Sequence, residues 1–130
     1  MADRETEVGA AELEVLRALW EVGPATVREV MNYLHGRGRK LAYTTVLTFL
    51  SRLEQKGFVA ADKREIAYVY RAKVSRDSVS RSRTKKLVEQ LFDGAAGALV
   101  LQLVRTEQLS EEEIEELQRL VEGLSRGKRS

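Results

Sequence analysis

The chain has 130 residues, 43% apolar and 32% charged, with a net charge of +2, which is material for one compact domain and an appendage. It holds no cysteine and one histidine, His35, which excludes disulfides, thiolate nucleophiles and cysteine-based metal sites, and leaves an imidazole centre without a second ligand. No stretch reaches the ~18 apolar residues of a membrane span and the leading MADRETEVGA lacks an apolar signal region, so a cytoplasmic protein without membrane insertion is expected.

Residues before about Gly9 are polar and read as a loose lead-in. A first helix is expected from about Ala11 to Glu21, with Leu13, Leu16, Leu19 and Trp20 at core spacing and no side-chain acceptor at Gly9 or Ala10 to cap it. Gly23 and Pro24 break it. Thr26 and Glu29 then form a capping box that starts a second helix at Val27, burying Val27, Val30, Met31 and Leu34 and stopping near Gly36. His35, at its end, suits the negative pole of the helix and has a structural reading.

The basic connector GRGRK, with Arg39 and Lys40, leads into Leu41 to Gly57, LAYTTVLTFLSRLEQKG. Here Val46, Phe49, Leu50 and Leu53 share one arc, while Thr44, Thr48 and Ser51 point the other way and Leu47 and Arg52 flank them. Solvent faces of helices usually carry Glu, Lys and Gln, which are better helix formers than Thr and Ser. Hydroxyls bond to phosphates and base edges, and a Thr methyl packs on a thymine methyl, so this face suits a DNA-reading helix. The plain alternative is a polar face that happens to be rich in Thr.

After Gly57 the period becomes alternating. Phe58 to Ala61 and Ile66 to Ala72 read as two strands joined by DKRE, with Ile66, Tyr68 and Tyr70 on one face and Lys63 and Arg64 at the tip. Three helices followed by a basic-tipped hairpin is the order of a winged helix-turn-helix. Ser75 is the expected N-cap of a fourth helix reaching about Asp93. Ala95 to Val104 is apolar nearly all round, and Ser110 with Glu113 caps a last helix whose stripe is Ile114, Leu117, Leu120, Val121 and Leu124. These segments need a partner: either a second copy, through Leu99, Leu103, Leu117 and Leu120, or one another in a small helical subdomain.

Charge follows the same division. From Arg28 to Lys73 ten basic residues face four acidic ones, and Arg76 to Lys86 adds five basic residues and one acid, whereas from Leu87 to Ser125 nine acids face two bases. Only the first part is expected to meet a polyanion. The fold class is therefore mostly α with a small β-hairpin: a winged-helix DNA-binding domain over 1–74 and a helical dimerisation domain over 75–130.

With LEVLRALW, TVREV, LAYTTVLTFLSRLEQKGFV, YVYRAKV and ALVLQLV…LSEEEIEELQRLV in this order, the chain resembles the BlaI/MecI/CopY family of penicillinase-repressor-type transcription factors from roughly Ala10 to Leu124. The resemblance implies a homodimeric repressor whose winged helices bind an inverted repeat in double-stranded DNA and whose helical C-terminal domain dimerises. It implies base reading from the start of the recognition helix, here Tyr43, Thr44, Thr45, Leu47 and Thr48, and phosphate contacts from Thr26, Arg52, Lys63 and Arg64. Two departures matter. The copper-responsive branch ends in a cysteine-rich motif that GLSRGKRS lacks, which rules out copper sensing by that route. In the β-lactam-responsive branch a membrane sensor protease leads to cleavage at an Asn-Phe bond, where this chain has Gln102-Leu103.

An enzyme is the rival of a different class. The chain has no Cys nucleophile, second His or phosphate-binding glycine loop, and the acidic run Glu111 to Glu116 suits a helix N-terminus better than a metal, so no catalytic residue, metal or cofactor is expected. The remaining alternative is a winged-helix protein-interaction module without specific DNA binding.

Overall fold

The computed structural model describes residues 8–129. Residues 1–7 of the expected lead-in lie outside that range; Val8, its last residue, is instead buried in the core. The elements are α1 (Ala10–Val22), β1 (Ala25–Thr26), α2 (Val27–Gly36), α3 (Tyr43–Gln55), β2 (Val59–Asp62), β3 (Val69–Ala72), α4 (Arg76–Phe92), α5 (Ala96–Thr106) and α6 (Glu111–Arg129).

Helix ends follow from local chemistry. At α1, Gly9 has no side chain to offer, and Glu12 reaches back to accept the Gly9 N–H at 2.9 Å. At α2 the reciprocal box forms: Glu29 accepts the Thr26 N–H at 2.8 Å and Thr26 Oγ1 accepts the Glu29 N–H at 3.2 Å. The expected stop near Gly36 is found, two residues before the residue that turns the chain. Gly36 is the last helical residue, and Gly38, at φ +86°, takes the left-handed position. The Gly38 and Arg39 N–H groups bond back to the His35 and Leu34 carbonyls at 3.0 and 2.9 Å. α3 ends the same way at Gly57, where Gly57 N–H meets Glu54 O at 3.1 Å and Phe58 N–H meets Leu53 O at 2.9 Å. Both are Schellman closures; the one at Gly57 returns Phe58 to the edge of the core, and the one at Gly38 leaves Arg39 on the surface.

The chain divides into two compact units, one ending at Ser82 and one beginning at Arg83. In the first, Val15, Leu16 and Leu19 of α1, Val30 and Leu34 of α2, and Val46, Leu50 and Leu53 of α3 close over Val59 and Tyr70 of the sheet. Leu13, Trp20, Met31 and Phe49, all expected in the core, line its half-buried rim.

The sheet has three strands in the order β1-β3-β2, all antiparallel, where the sequence reading expected a two-stranded hairpin. Ala25 pairs with Tyr70, and Val59 to Asp62 pair with Ala72 to Val69. The second wing strand, expected from Ile66, starts at Val69. Asp62 Oδ1 accepts the Arg64 N–H at 3.1 Å, which turns the backbone out of the ladder and leaves 63–68 as loop. The expected common face of Ile66, Tyr68 and Tyr70 is therefore not formed: Ile66 is fully exposed, Tyr68 is exposed and Tyr70 is buried.

α4 is anchored at its start. Ser75 Oγ caps the Ser78 N–H at 3.0 Å, Trp20 Nε1 donates to the Val74 carbonyl at 2.9 Å, and Arg76 pairs with Glu21 at 2.7 Å while lying over the Trp20 ring. Val79 joins the first core. In the second unit α5 has no buried residue, and Val88 is the only buried hydrophobic among its described residues. The Ser110–Glu113 box opens α6, which continues past the expected stripe to Arg129.

Among the described residues of the first unit, one charged side chain is buried. Glu12 is buried, and its Oε1 receives Lys56 Nζ at 2.7 Å, joining the start of α1 to the C-cap of α3. Burial pushes the Glu12 carboxyl up, but the Lys56 hydrogen bond, the Gly9 N–H and the charges of Lys56 and Arg52 together carry it below its ordinary value. A carboxyl lowered in the folded state stabilises the fold above its unfolded pKa, and that contribution is lost as pH falls through the lowered value. Lys56→Met leaves the carboxylate without its cation and should cost roughly 1–3 kcal/mol in urea unfolding at pH 7. Glu12→Gln should flatten the acid side of the stability-against-pH curve; an acid limb identical to that of the parent would show that the pair does not contribute.

Candidate nucleic-acid interface

α3 separates its two roles by face. Val46, Leu50 and Leu53 are fully buried, while Tyr43, Thr44, Leu47, Thr48 and Arg52 are exposed and Thr45 and Ser51 are half-buried. The outward residues form a short polar and apolar strip beginning at the first turn of the helix, the part that reaches base edges when such a helix enters a major groove. Upstream, His35 Nε2–H donates to the Leu41 carbonyl at 2.7 Å and ties down the connector that aims this first turn.

Hydrogen bonding divides the hydroxyls by what they can recognise. Thr48 Oγ1 donates to the Thr44 carbonyl at 2.9 Å, so it shows lone pairs and a methyl to the outside. Phosphates carry no donor. Thr48 therefore suits a base amino group or a thymine methyl. Thr26 is the converse: its oxygen accepts the Glu29 N–H, which leaves its own proton to donate to an anion at the α2 N-terminus.

The cations named from the sequence all lie on the surface, and most are engaged within the chain. Arg39 donates two hydrogen bonds to the Glu14 carboxylate on α1, from Nε at 2.6 Å and Nη2 at 3.1 Å, and Arg52 lies over Phe49. At the wing, Lys63 pairs with Glu54 at 3.2 Å and sits over Tyr68, and Arg64 holds Asp62 through Nε and Nη2 at 3.0 and 2.7 Å. The Arg64 hydrogen bonds hold the Asp62 carboxyl down at about 2, and Asp62 in turn pushes the Arg64 guanidinium up. Both groups stay charged near neutrality, and the wing tip carries its cations beside carboxylates of the wing itself and of α3. Lys40 is exposed on the connector.

Arg28 is a residue of this surface that the sequence reading did not single out. It is exposed in the first turn of α2, with its guanidinium carbon 5.5 Å from the Tyr43 ring centroid. The available signal was a cation in the first turn of a helix, against the helix dipole.

In the second unit, Leu99 and Leu117 are half-buried and Leu103 and Leu120 exposed, beside exposed Val100, Leu101, Val104, Ile114, Val121 and Leu124. Between α5 and α6 opens an apolar groove of about 480 Å³, floored by Val100, Leu103, Val104 and Leu117 with Glu112, Glu113 and Glu116 at its rim. Gln102 and Leu103 lie inside α5, and the Gln102 carbonyl accepts the Thr106 hydroxyl at 2.9 Å. Among the described residues no single helix is long and apolar enough to cross a membrane.

The chain matches the penicillinase repressor family over residues 8–123. It is similar to the penicillinase repressor of Staphylococcus aureus, 25% identical over 126 residues that cover 97% of this chain and 99% of that protein. It is also similar to the methicillin resistance regulatory protein MecI of Mammaliicoccus sciuri, 27% identical over 121 residues covering 93% and 98%. Among solved structures, a MarR family protein from Bacillus stearothermophilus overlaps 95% of this chain and 76% of its own, at 24% identity and a TM-score of 0.46. With a match that runs through both units, and a helix-turn-helix and wing in the first of them, the chain belongs to the penicillinase repressor family of winged-helix, DNA-binding transcriptional regulators.

Proposed function

We propose that this protein is a cytoplasmic, homodimeric repressor that binds an inverted-repeat operator, each copy laying α3 in the major groove. The observation that carries this reading is the division of α3: one face is wholly committed to the core, and the opposite face displays Tyr43, Thr44, Leu47 and Thr48. Thr45 adds what its half-buried side chain reaches, and Thr26, Arg39, Lys40, Arg52, Lys63 and Arg64 face phosphates, with Arg39, Lys63 and Arg64 exchanging internal carboxylates for them. Such an exchange lowers the net gain per contact, because a carboxylate is left behind for each phosphate met.

The second unit supports the dimer. α5 and α6 carry long apolar side chains that the described residues of the unit cover only in part, and a second copy of the same helices would bury Leu103 and Leu120 and complete the burial of Leu99 and Leu117. Two reading heads joined in this way share an effective concentration that a single winged helix lacks. Relief follows from the same helices. Cleavage at Gln102-Leu103, by a partner such as a membrane sensor protease, would cut α5 in two and remove the dimer contact. A protease needs extended backbone, and this bond is helical, so the cut waits on local unwinding of α5. That opening is cheaper in a lone chain, where α5 is unburied, than in a dimer.

Three outcomes are expected. On nonspecific duplex, log K falls with log salt by about 0.9 per phosphate neutralised. Lys63→Ala with Arg64→Ala should flatten that slope, and Asp62→Asn, which releases Arg64, should tighten binding. Equal slopes and affinities in all three proteins would take the wing off the DNA, and salt-insensitive binding by the parent would favour a protein-contact module. Leu103→Asp buries a carboxylate without a partner in the dimer core, at a cost of several kcal/mol. Sedimentation at micromolar concentration should then give a monomer with weakened operator binding; a persisting dimer would sink the assignment of this face. Limited proteolysis by an unspecific protease should nick α5 faster as the chain is diluted through its dimer dissociation range, and a rate independent of dilution would separate cleavage from dimerisation.

A further inference from the structure

The geometry points to Arg28 as a specificity-determining residue that reads a guanine in each half-site, with Tyr43 as the platform that orients it; this rests on the proposed operator-binding role. Bidentate bonding of a guanidinium to guanine O6 and N7 is the commonest base-specific contact in a major groove. The exposed start of α3 has no residue able to make it: Tyr43, Thr44, Leu47 and Thr48 contain no cation, and the first one on the helix, Arg52, lies in its last turn over Phe49. Arg28 fills that gap from the neighbouring helix. Its guanidinium carbon is 5.5 Å from the centroid of the Tyr43 ring, at the first residue of α3.

Two physical arguments favour a reading role. A cation in the first turn of α2 faces the positive end of the helix dipole, so the position does not serve helix stability. A cation held over an aromatic face is restrained in position, so less conformational freedom is lost when the Arg28 guanidinium meets a base. Arg28 is also exposed and makes no contribution to the core, so it can be replaced without disturbing the fold.

The test is selection of binding sites from a random duplex library by the full-length parent and by Arg28→Ala and Arg28→Lys, each checked for an unchanged unfolding midpoint. The parent should enrich a two-fold motif containing a guanine that both variants lose, with discrimination at that position falling on the order of ten- to hundredfold while the other positions persist. Lysine should not rescue it, since a point charge neither stacks in a plane nor bonds both acceptors. A motif unchanged in both variants, with Arg28→Ala alone binding every sequence more weakly and losing about 0.9 from the salt slope while Arg28→Lys keeps it, would make Arg28 a phosphate contact and overturn the inference alone. Failure of the parent to enrich any motif would overturn the operator-binding reading together with it.

Discussion

Everything in the first unit depends on the seating of one helix. α3 reaches the core through Val46, Leu50 and Leu53, which have no accessible surface, and it is closed at its end by the Gly57 turn and the Lys56–Glu12 pair. Those contacts leave it no freedom to rotate about its axis, because a turn of one residue would carry Leu47 or Ser51 inward and bring Val46 or Leu50 to solvent. The orientation of the outward strip is thus a by-product of hydrophobic packing. A surface strip built in this way needs no separate device to hold it, and its placement is as well defined as that of the core.

Electrostatics acts on top of this frame and is restrained. The net charge is only +2, and Arg39, Lys63 and Arg64 each sit against a carboxylate of the same chain. Nonspecific affinity for DNA comes from neutralised phosphates, and genomic DNA offers a vast excess of wrong sites. A surface whose cations are already half-compensated binds those wrong sites less well. In the proposed function, base-edge contacts of α3 would then account for a larger part of the difference between right and wrong sites, which is the quantity a regulator depends on.

Much of this was legible in the sequence because it is local. The Thr26–Glu29 and Ser110–Glu113 boxes, the Ser75 cap, the stripe of α3 and the all-round apolar character of α5 are written in spacings of three and four residues, and each appears in the structure, with Phe49 of the stripe only half-buried. What was missed is long-range or very short. β1 has two residues, too few for alternation to register, and it exists only because Ala25 and Thr26 find Tyr70 and Val69. The wing strand was drawn too long because Ile66 and Tyr68 continue an alternating pattern that the Asp62 turn interrupts. Glu12 with Lys56 and Arg28 with Tyr43 are pairs brought together by tertiary packing, and no single-sequence period announces them. Of the candidate interface, the α3 strip and the placement of the basic residues were readable, whereas their internal ion pairs were not.

The wing loop over 63–68 has a consequence for how such proteins diversify. Its residues are all exposed, it lies beyond the last paired residues Asp62 and Val69, and Ile66 touches nothing that shields it. Loop-closure entropy changes slowly with length, so residues inserted or deleted here leave the folded core almost indifferent. The strands beneath it are pinned through Thr26, which both caps α2 and pairs in the sheet. The tip can therefore be lengthened, shortened or recharged while α3 keeps its seat, so that loop and helix can vary independently of one another.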